Sequence, residues 1–233
     1  MAKNKFTFKT IFLYIKRGMI FFFVSSLLVT LAYIFLNPPL TPLMVVRSAG
    51  QLFSNENMEL QKKWIGIDSI SPFLIQAVVA SEDNNFQDHW GFDFEAIQKA
   101  NKLNQKGEKM RGASTISQQT AKNVFLWPDR SWVRKGIEVY FTAMIELCWS
   151  KKRIMEVYLN VIEMGDGIYG SEMASQIFFK KSARYLNRSE AALIAAVLPN
   201  PRIWHPDHPS AYILHKQQKI LQAMNKVGKV SWN

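Results

Sequence analysis

A chain of 233 residues with 48% hydrophobic content is long enough for one substantial core and a short second lobe. Its net charge of +11 comes with no RNA-binding signature and no DNA-reading motif, so nucleic acid is not the partner it points to; beside a bilayer, such a surface attracts anionic headgroups or a phosphate-bearing substrate. The single cysteine, Cys148, excludes an internal disulfide and lies in a helical apolar pattern, the setting of a buried structural thiol.

The first segment, residues 1–17, holds Lys3, Lys5, Lys9, Lys16 and Arg17 and no acidic residue. Met19 to Leu36 then runs without a charge for 18 residues, a helix of ~27 Å at 1.5 Å per residue, close to a hydrocarbon core. The spacing predicts one transmembrane helix over residues 18–36, with the basic tail cytoplasmic and the remainder exported. The run exceeds a usual signal-peptide core and lacks a small-x-small cleavage site before Pro38-Pro39, which favours an uncleaved anchor.

Residues 37–70, opened by "NPPLTPL", read as a stalk or linker of irregular structure. From Ser71 the pattern is helical almost throughout. Ser71-Pro72 supplies an N-cap with proline at the first helical position, and that helix runs to Glu82. Asp93 caps a second helix through Phe94, Ile97 and Ala100. Ser114 or Thr115 opens a third, the latter with Gln118 at capping-box spacing. Helices follow from Ser131, Ser150 and Ser171, and Asn187 with Glu190 opens "EAALIAAVLPNP", ended by Pro199 and Pro201. Alternating strands and internal repeats are not evident, so residues 71–233 form a mostly α domain.

Two clusters carry chemistry. Glu82 stands in the last turn of an apolar helix, where the macrodipole and burial both favour a raised pKa, as a general base requires; a surface glutamate at a helix end is the plainer alternative. Asp83, His89 and Asp93 suit turn capping, and Phe86 and Phe92 suit the core. In "RGASTISQQTAKNVFLWPDRSWVRKGIE", Ser114, Gln118 and Lys122 fall at helical spacing as a polar stripe, with Gln119 and Asn123 beside it. Arg130 follows, and Lys99 to Lys135 holds nine basic residues against two acidic, a patch suited to a diphosphate or a solvated basic face. Glu138 lies four residues after Arg134 and three after Lys135. That spacing allows either a helical salt bridge or a second catalytic carboxylate, and the adjacent cations favour an orienting role over that of an acid. "VFLWP" with Trp132 reads either as core or as a segment dipping into headgroups. "HPDHP" and Asp166 in "GDGIYG" read as loop chemistry, the former without a third metal ligand.

At this point the residues resemble a known family. "EDNNFQDHWGFD" is similar to the Glu-Asp-x-x-Phe-x-x-His-x-Gly-Phe-Asp motif of the peptidoglycan glycosyltransferases, the polymerases of lipid II. "GASTISQQTAKNVFL", "RKGIE", "SKKRIMEVYLN" and "GIYGSEMASQIFFKK" resemble their second to fifth motifs, in order, over roughly Ser71 to Pro201. Met173 and Ser175 depart from the alanines expected in the fifth motif. The chain ends soon after "LPNP" and contains no Ser-x-x-Lys, so the monofunctional biosynthetic class fits, without a transpeptidase domain.

The resemblance implies a lysozyme-like, mostly helical fold with a small membrane-associated lobe. It implies inverting transfer of a lipid-diphosphate-linked disaccharide to a GlcNAc 4-hydroxyl, with release of undecaprenyl diphosphate, as against glycan cleavage or an inactive scaffold. Glu82 becomes the base and Glu138 a supporting catalytic carboxylate. Lys122 and Arg130, with Ser114, Gln118 or Gln119, Asn123, Asp83 and His89, become the substrate-binding set. No cofactor is expected to be tightly bound, with Mg²⁺ or Mn²⁺ at the substrate diphosphate left open. The partners implied are lipid II, the growing glycan and the membrane, with room for cell-division or cell-wall synthesis proteins. The implied location is the bacterial inner membrane, single-pass, with the catalytic domain periplasmic.

Overall fold

The computed structural model describes residues 8–53, 60–105, 114–129 and 131–232. They fall into two units, Met1–Leu36 and Asn37–Asn233.

The first unit is α1 (Phe8–Phe35), whose stretch Lys9–Ala32, of mean hydropathy 1.7, is long and apolar enough to cross a membrane. The helix begins ten residues before the expected onset at 18, because "FKTIFLY" continues its apolar surface and the stems of Lys9, Lys16 and Arg17 can carry their charges outward. Two of its buried hydroxyls are satisfied within the helix: Thr30 donates to the carbonyl of Ser26 at 2.8 Å and Ser26 to that of Phe23 at 3.0 Å. Hydrocarbon offers such groups no other partner.

The second unit is built around α3 (Pro72–Glu82), which Ser71 caps by accepting from the amide of Phe73 at 3.3 Å. Leu74, Ala77 and Val78 are wholly buried, since α3 packs against both α9 (Arg188–Val197) and α10 (Ala211–Val227). The alanines of α9 at 191, 192, 195 and 196 are buried too, and side chains of that size let helix axes approach closely. A second group forms where α5 (Ile116–Phe125) packs on α6 (Trp132–Cys148) and α7 (Lys151–Val161). α4 (Phe94–Gln105) and α8 (Ser171–Phe179) complete the elements expected from Ser71 onward.

Three features depart from expectation. Residues 37–70 hold α2 (Pro42–Phe53), capped by the Thr41 hydroxyl, which accepts from the Met44 amide at 3.3 Å, together with the short strand β1 (Gln61–Lys62). Asn37–Pro39 are tied to the domain through Lys62 Nζ, which donates to the carbonyl of Pro39 at 2.9 Å and also to that of Pro38. α10 lies beyond the last expected helix. Finally, β2 (Glu163–Gly165) and β3 (Ile168–Tyr169) form with β1 a small sheet of order β1-β3-β2, β1 parallel and β2 antiparallel to β3, with an irregularity in the register of β2. Strands of two or three residues are too short to show alternation. Cys148 and Phe92 are half-buried, not buried.

The sheet abuts α7 and α8 through Gly170, which has φ 83° and ψ 159°. A Cβ there would stand 2.8 Å from the backbone oxygen of Asn160. Strained backbone and a clash with main chain act together, so Gly170→Ala should cost at least about 2 kcal/mol, read as a lowered midpoint in thermal or denaturant unfolding. A variant as stable as the parent would refute this.

Candidate active site

The two sequence clusters are brought together by one carboxylate. Asp83, the C-cap of α3, is buried and accepts from the backbone amide of Ile116, the first residue of α5, at 3.0 Å. It also bonds His89 Nε2 at 2.8 Å, while His89 Nδ1 accepts from the Gly91 amide at 3.1 Å. That second bond assigns the ring proton to Nε2, donated to Asp83. Asp83 and His89 thus stand behind the site, holding α3 against the N-terminus of α5, with their polar atoms committed to each other and to backbone.

The start of α5 redefines the polar stripe. Thr115 is its N-cap, and Gln118 closes a capping box by accepting from the Thr115 amide at 3.0 Å. Ser114 precedes the helix and is exposed, so it cannot share a helical face with Gln118 and Lys122. The face presented to the cleft is instead Gln119, Lys122 and Asn123, at i, i+3 and i+4.

Gln119 connects this face to Glu82. Its amide nitrogen donates to Glu82 Oε2 at 2.9 Å, and its amide oxygen accepts from the fully buried Tyr158 hydroxyl at 3.2 Å. The chain Tyr158–Gln119–Glu82 fixes the amide orientation and aims the carboxylate. Burial raises the pKa of Glu82, opposed by the Gln119 hydrogen bond and the charge of Lys216 and assisted by Asp83. Lys216, on α10, donates to the Ala196 carbonyl at 2.8 Å and lies over the Trp204 ring.

Because the Gln119 amide favours the ionised form of Glu82, Gln119→Leu should raise that pKa further. Carboxyl NMR titration of Glu82 should show its midpoint moved to higher pH. An unchanged midpoint would show that the bond does not matter.

Glu138 is 3% exposed. Arg134 Nη1 donates to it at 2.9 Å and Lys135 Nζ bonds its other oxygen. Held between two cations, it anchors a positive group. Burial also lowers the pKa of Lys122, opposed by Glu138 and reinforced by Arg134 and Lys135. Arg130 lies outside the described residues, as does most of "NQKGEKMRG".

A cleft of about 710 Å³ opens along the Gln119, Lys122 and Asn123 face; Glu82 and Glu138 are not in its lining but are bonded to Gln119 and Arg134, which are. Gln119, Lys122, Asn123 and Arg134 contribute to its wall from α5 and α6; Arg47 from α2, Asp129, Glu163 from β2, and Asn200 and Arg202 from beyond α9 complete the polar lining. Sequence reasoning singled out the α5 residues but missed Tyr158, Lys216, Arg47, Glu163 and Arg202, which come from elements distant in sequence.

Nearby, the aromatic segment divides. Leu126 and Val124 are buried, Trp127 is partly exposed and Trp132 is 92% exposed with Val133 beside it. No group of three or more His, Cys, Asp or Glu able to hold a metal occurs among the described residues.

A family model described as transglycosylase matches residues 49–225. A biosynthetic peptidoglycan transglycosylase of Bacteroides thetaiotaomicron is 55% identical over 95% of this chain and 89% of its own length. A protein of the same name from Bdellovibrio bacteriovorus is 54% identical over 89% of this chain and 83% of its own. One from Yersinia pseudotuberculosis is 49% identical, covering 91% and 89%.

Proposed function

The chain belongs to the transglycosylase family and is a peptidoglycan glycosyltransferase, and we propose that its cleft joins two lipid-linked disaccharides by the following chemistry. The 4-hydroxyl oxygen of one GlcNAc attacks C1 of the MurNAc in a second lipid II. The bond from C1 to the diphosphate oxygen breaks, its electron pair leaves with undecaprenyl diphosphate, and C1 is inverted. Glu82 takes the hydroxyl proton.

The observation that carries this reading is a raised-pKa carboxylate hydrogen-bonded to the same helix face that presents Lys122. A glycosidase must protonate an alkoxide leaving group and so uses a carboxylic acid opposite a second carboxylate. Here the second carboxylate, Glu138, is held between Arg134 and Lys135. A diphosphate departs already charged, and cations suffice to stabilise it. Lys122 and Arg134 fill that role, joined by Arg130 on the strength of its motif, while Glu138 holds the cations in place.

The donors facing the diphosphate are ammonium, guanidinium and amide groups, a set that does not fit a resident divalent ion. Any Mg²⁺ or Mn²⁺ would therefore travel with the substrate, and no step is assigned to one. We further read α1 as the anchor of a single-pass inner-membrane protein with residues 71–233 as the periplasmic catalytic domain, and Trp132 with Val133 as a contact with headgroups. A domain held at the membrane that carries its substrate meets that substrate at raised effective concentration.

The test is incubation of the full-length detergent-solubilised chain with lipid II, with products resolved by size. Polymer with stoichiometric release of undecaprenyl diphosphate is expected. Shortening of preformed glycan strands without polymer would reassign the cleft to a lytic enzyme.

A further inference from the structure

The lining contributed by Arg47, Glu163 and Arg202 plays no part in the chemistry above, and it differs in character from the group around Lys122. Glu163 is 8% exposed, yet its Oε1 has no hydrogen-bond partner among the described residues. Tyr169 is wholly buried and its hydroxyl is likewise unpartnered, as is the buried Nε of Arg47. These atoms belong together: Glu163 and Tyr169 are direct partners across β2 and β3, which puts their side chains side by side on one face. Arg47 Nη2 reaches Glu163 Oε2 at 3.7 Å, beyond hydrogen-bond distance.

Buried polar atoms nearly always find partners; Glu163 and Arg47 line the cleft while Tyr169 is packed behind them, so two orphans in the cleft wall call for an external partner. Charge narrows the choice. Arg202 is paired with Asp166 at 2.8 Å and Arg47 faces Glu163, so cations and carboxylates cancel here. An anion would meet the free oxygen of Glu163, and an ammonium would meet Arg47. A neutral group carrying one donor and one acceptor satisfies both.

We propose that Arg47 and Glu163 form a subsite for the acetamido group of an N-acetylhexosamine residue lying in the cleft. The acetamido N–H donates to Glu163 Oε1, and its carbonyl accepts from Arg47 Nε. The assignment rests on reading the cleft as the site of glycan assembly, and it adds a recognition element for the sugar to the groups that hold the diphosphate.

Two neutral probes differ at this group alone: a β-1,4-linked tetrasaccharide of N-acetylglucosamine and one of glucose, with a hydroxyl in place of each acetamide. Titration calorimetry on the full-length chain in detergent should give at least ten-fold tighter binding of the first. In Glu163→Leu, which removes the acceptor, and in Arg47→Met, which removes the donor, the ratio should fall to within three-fold, with the helical circular-dichroism spectrum of the parent retained. Equal binding of the two sugars by wild type, binding of neither, or a ratio that survives both variants would overturn the subsite. Because this readout needs no turnover, a chain that discriminates the sugars but makes no polymer from lipid II would support the subsite while overturning the polymerase chemistry.

Discussion

Glu82→Gln is expected to lower kcat for polymer formation by about 10²- to 10⁴-fold, the usual contribution of a positioned general base. The substitution keeps shape and volume, and the Gln119 amide that donates to Glu82 at 2.9 Å can donate equally to an amide oxygen. Folding and substrate binding should therefore survive, and KM should move little, which is the signature of an interaction made only in the transition state. Wild type should show a matching acid limb. Burial raises the pKa of Glu82 above the 4.5 of an ordinary glutamate, and the base works only when deprotonated, so the rate should already be falling with decreasing pH above that value. In Glu82→Gln the residual rate should lose this limb. A variant within ten-fold of wild type, or one that keeps the limb, would remove Glu82 from the chemistry.

The next largest effect is expected at Lys122. Lys122→Met keeps the length of the stem and removes the charge, and kcat/KM should fall about 10²- to 10³-fold, as when one preorganised donor to a developing charge is deleted. Glu138 would still be bonded by Arg134 at 2.9 Å and by Lys135, so no buried carboxylate is left alone and the thermal midpoint should hold. Since burial lowers the pKa of Lys122 from the ordinary 10.5, the alkaline limb of the wild-type profile should begin below that value. Lys122→Arg should restore charge without full activity, because a planar fork does not replace a compact ammonium. Activity within three-fold of wild type in the methionine variant would place the diphosphate elsewhere.

Much of this arrangement was legible in the sequence. The helix starts at Ser71, Thr115, Ser131, Ser150 and Asn187 all proved to be caps whose side chains accept the expected backbone amide, since capping is a local interaction between residues two or three apart. α10 was less visible because "HPDHP" interrupts the chain before it, although Ile213, Ile220 and Met224 are buried at helical spacing.

What escaped was the contact between elements. Nothing within a few residues of Glu163 announces that it faces Tyr169 across a strand pair and Arg47 from α2. Nor does the neighbourhood of Lys216 show that its charge reaches Glu82. The misplaced stripe has a smaller cause: taking Ser114 as helical ignored that Thr115, as N-cap, must itself leave the helical backbone conformation, which starts α5 one residue later.

The start of α6 bears on how this protein can be handled. Trp132 at 92% exposure and Val133 at 70% sit together on a surface that does not depend on α1. Deleting residues 1–36 removes the one segment among the described residues that is long and apolar enough to span a bilayer but leaves these side chains facing water, where exposed apolar surface favours self-association. A shortened chain should therefore still need detergent to stay monodisperse, and should still pellet with vesicles. On that outcome, removing α1 would separate solubility from anchoring, and engineering one would not deliver the other.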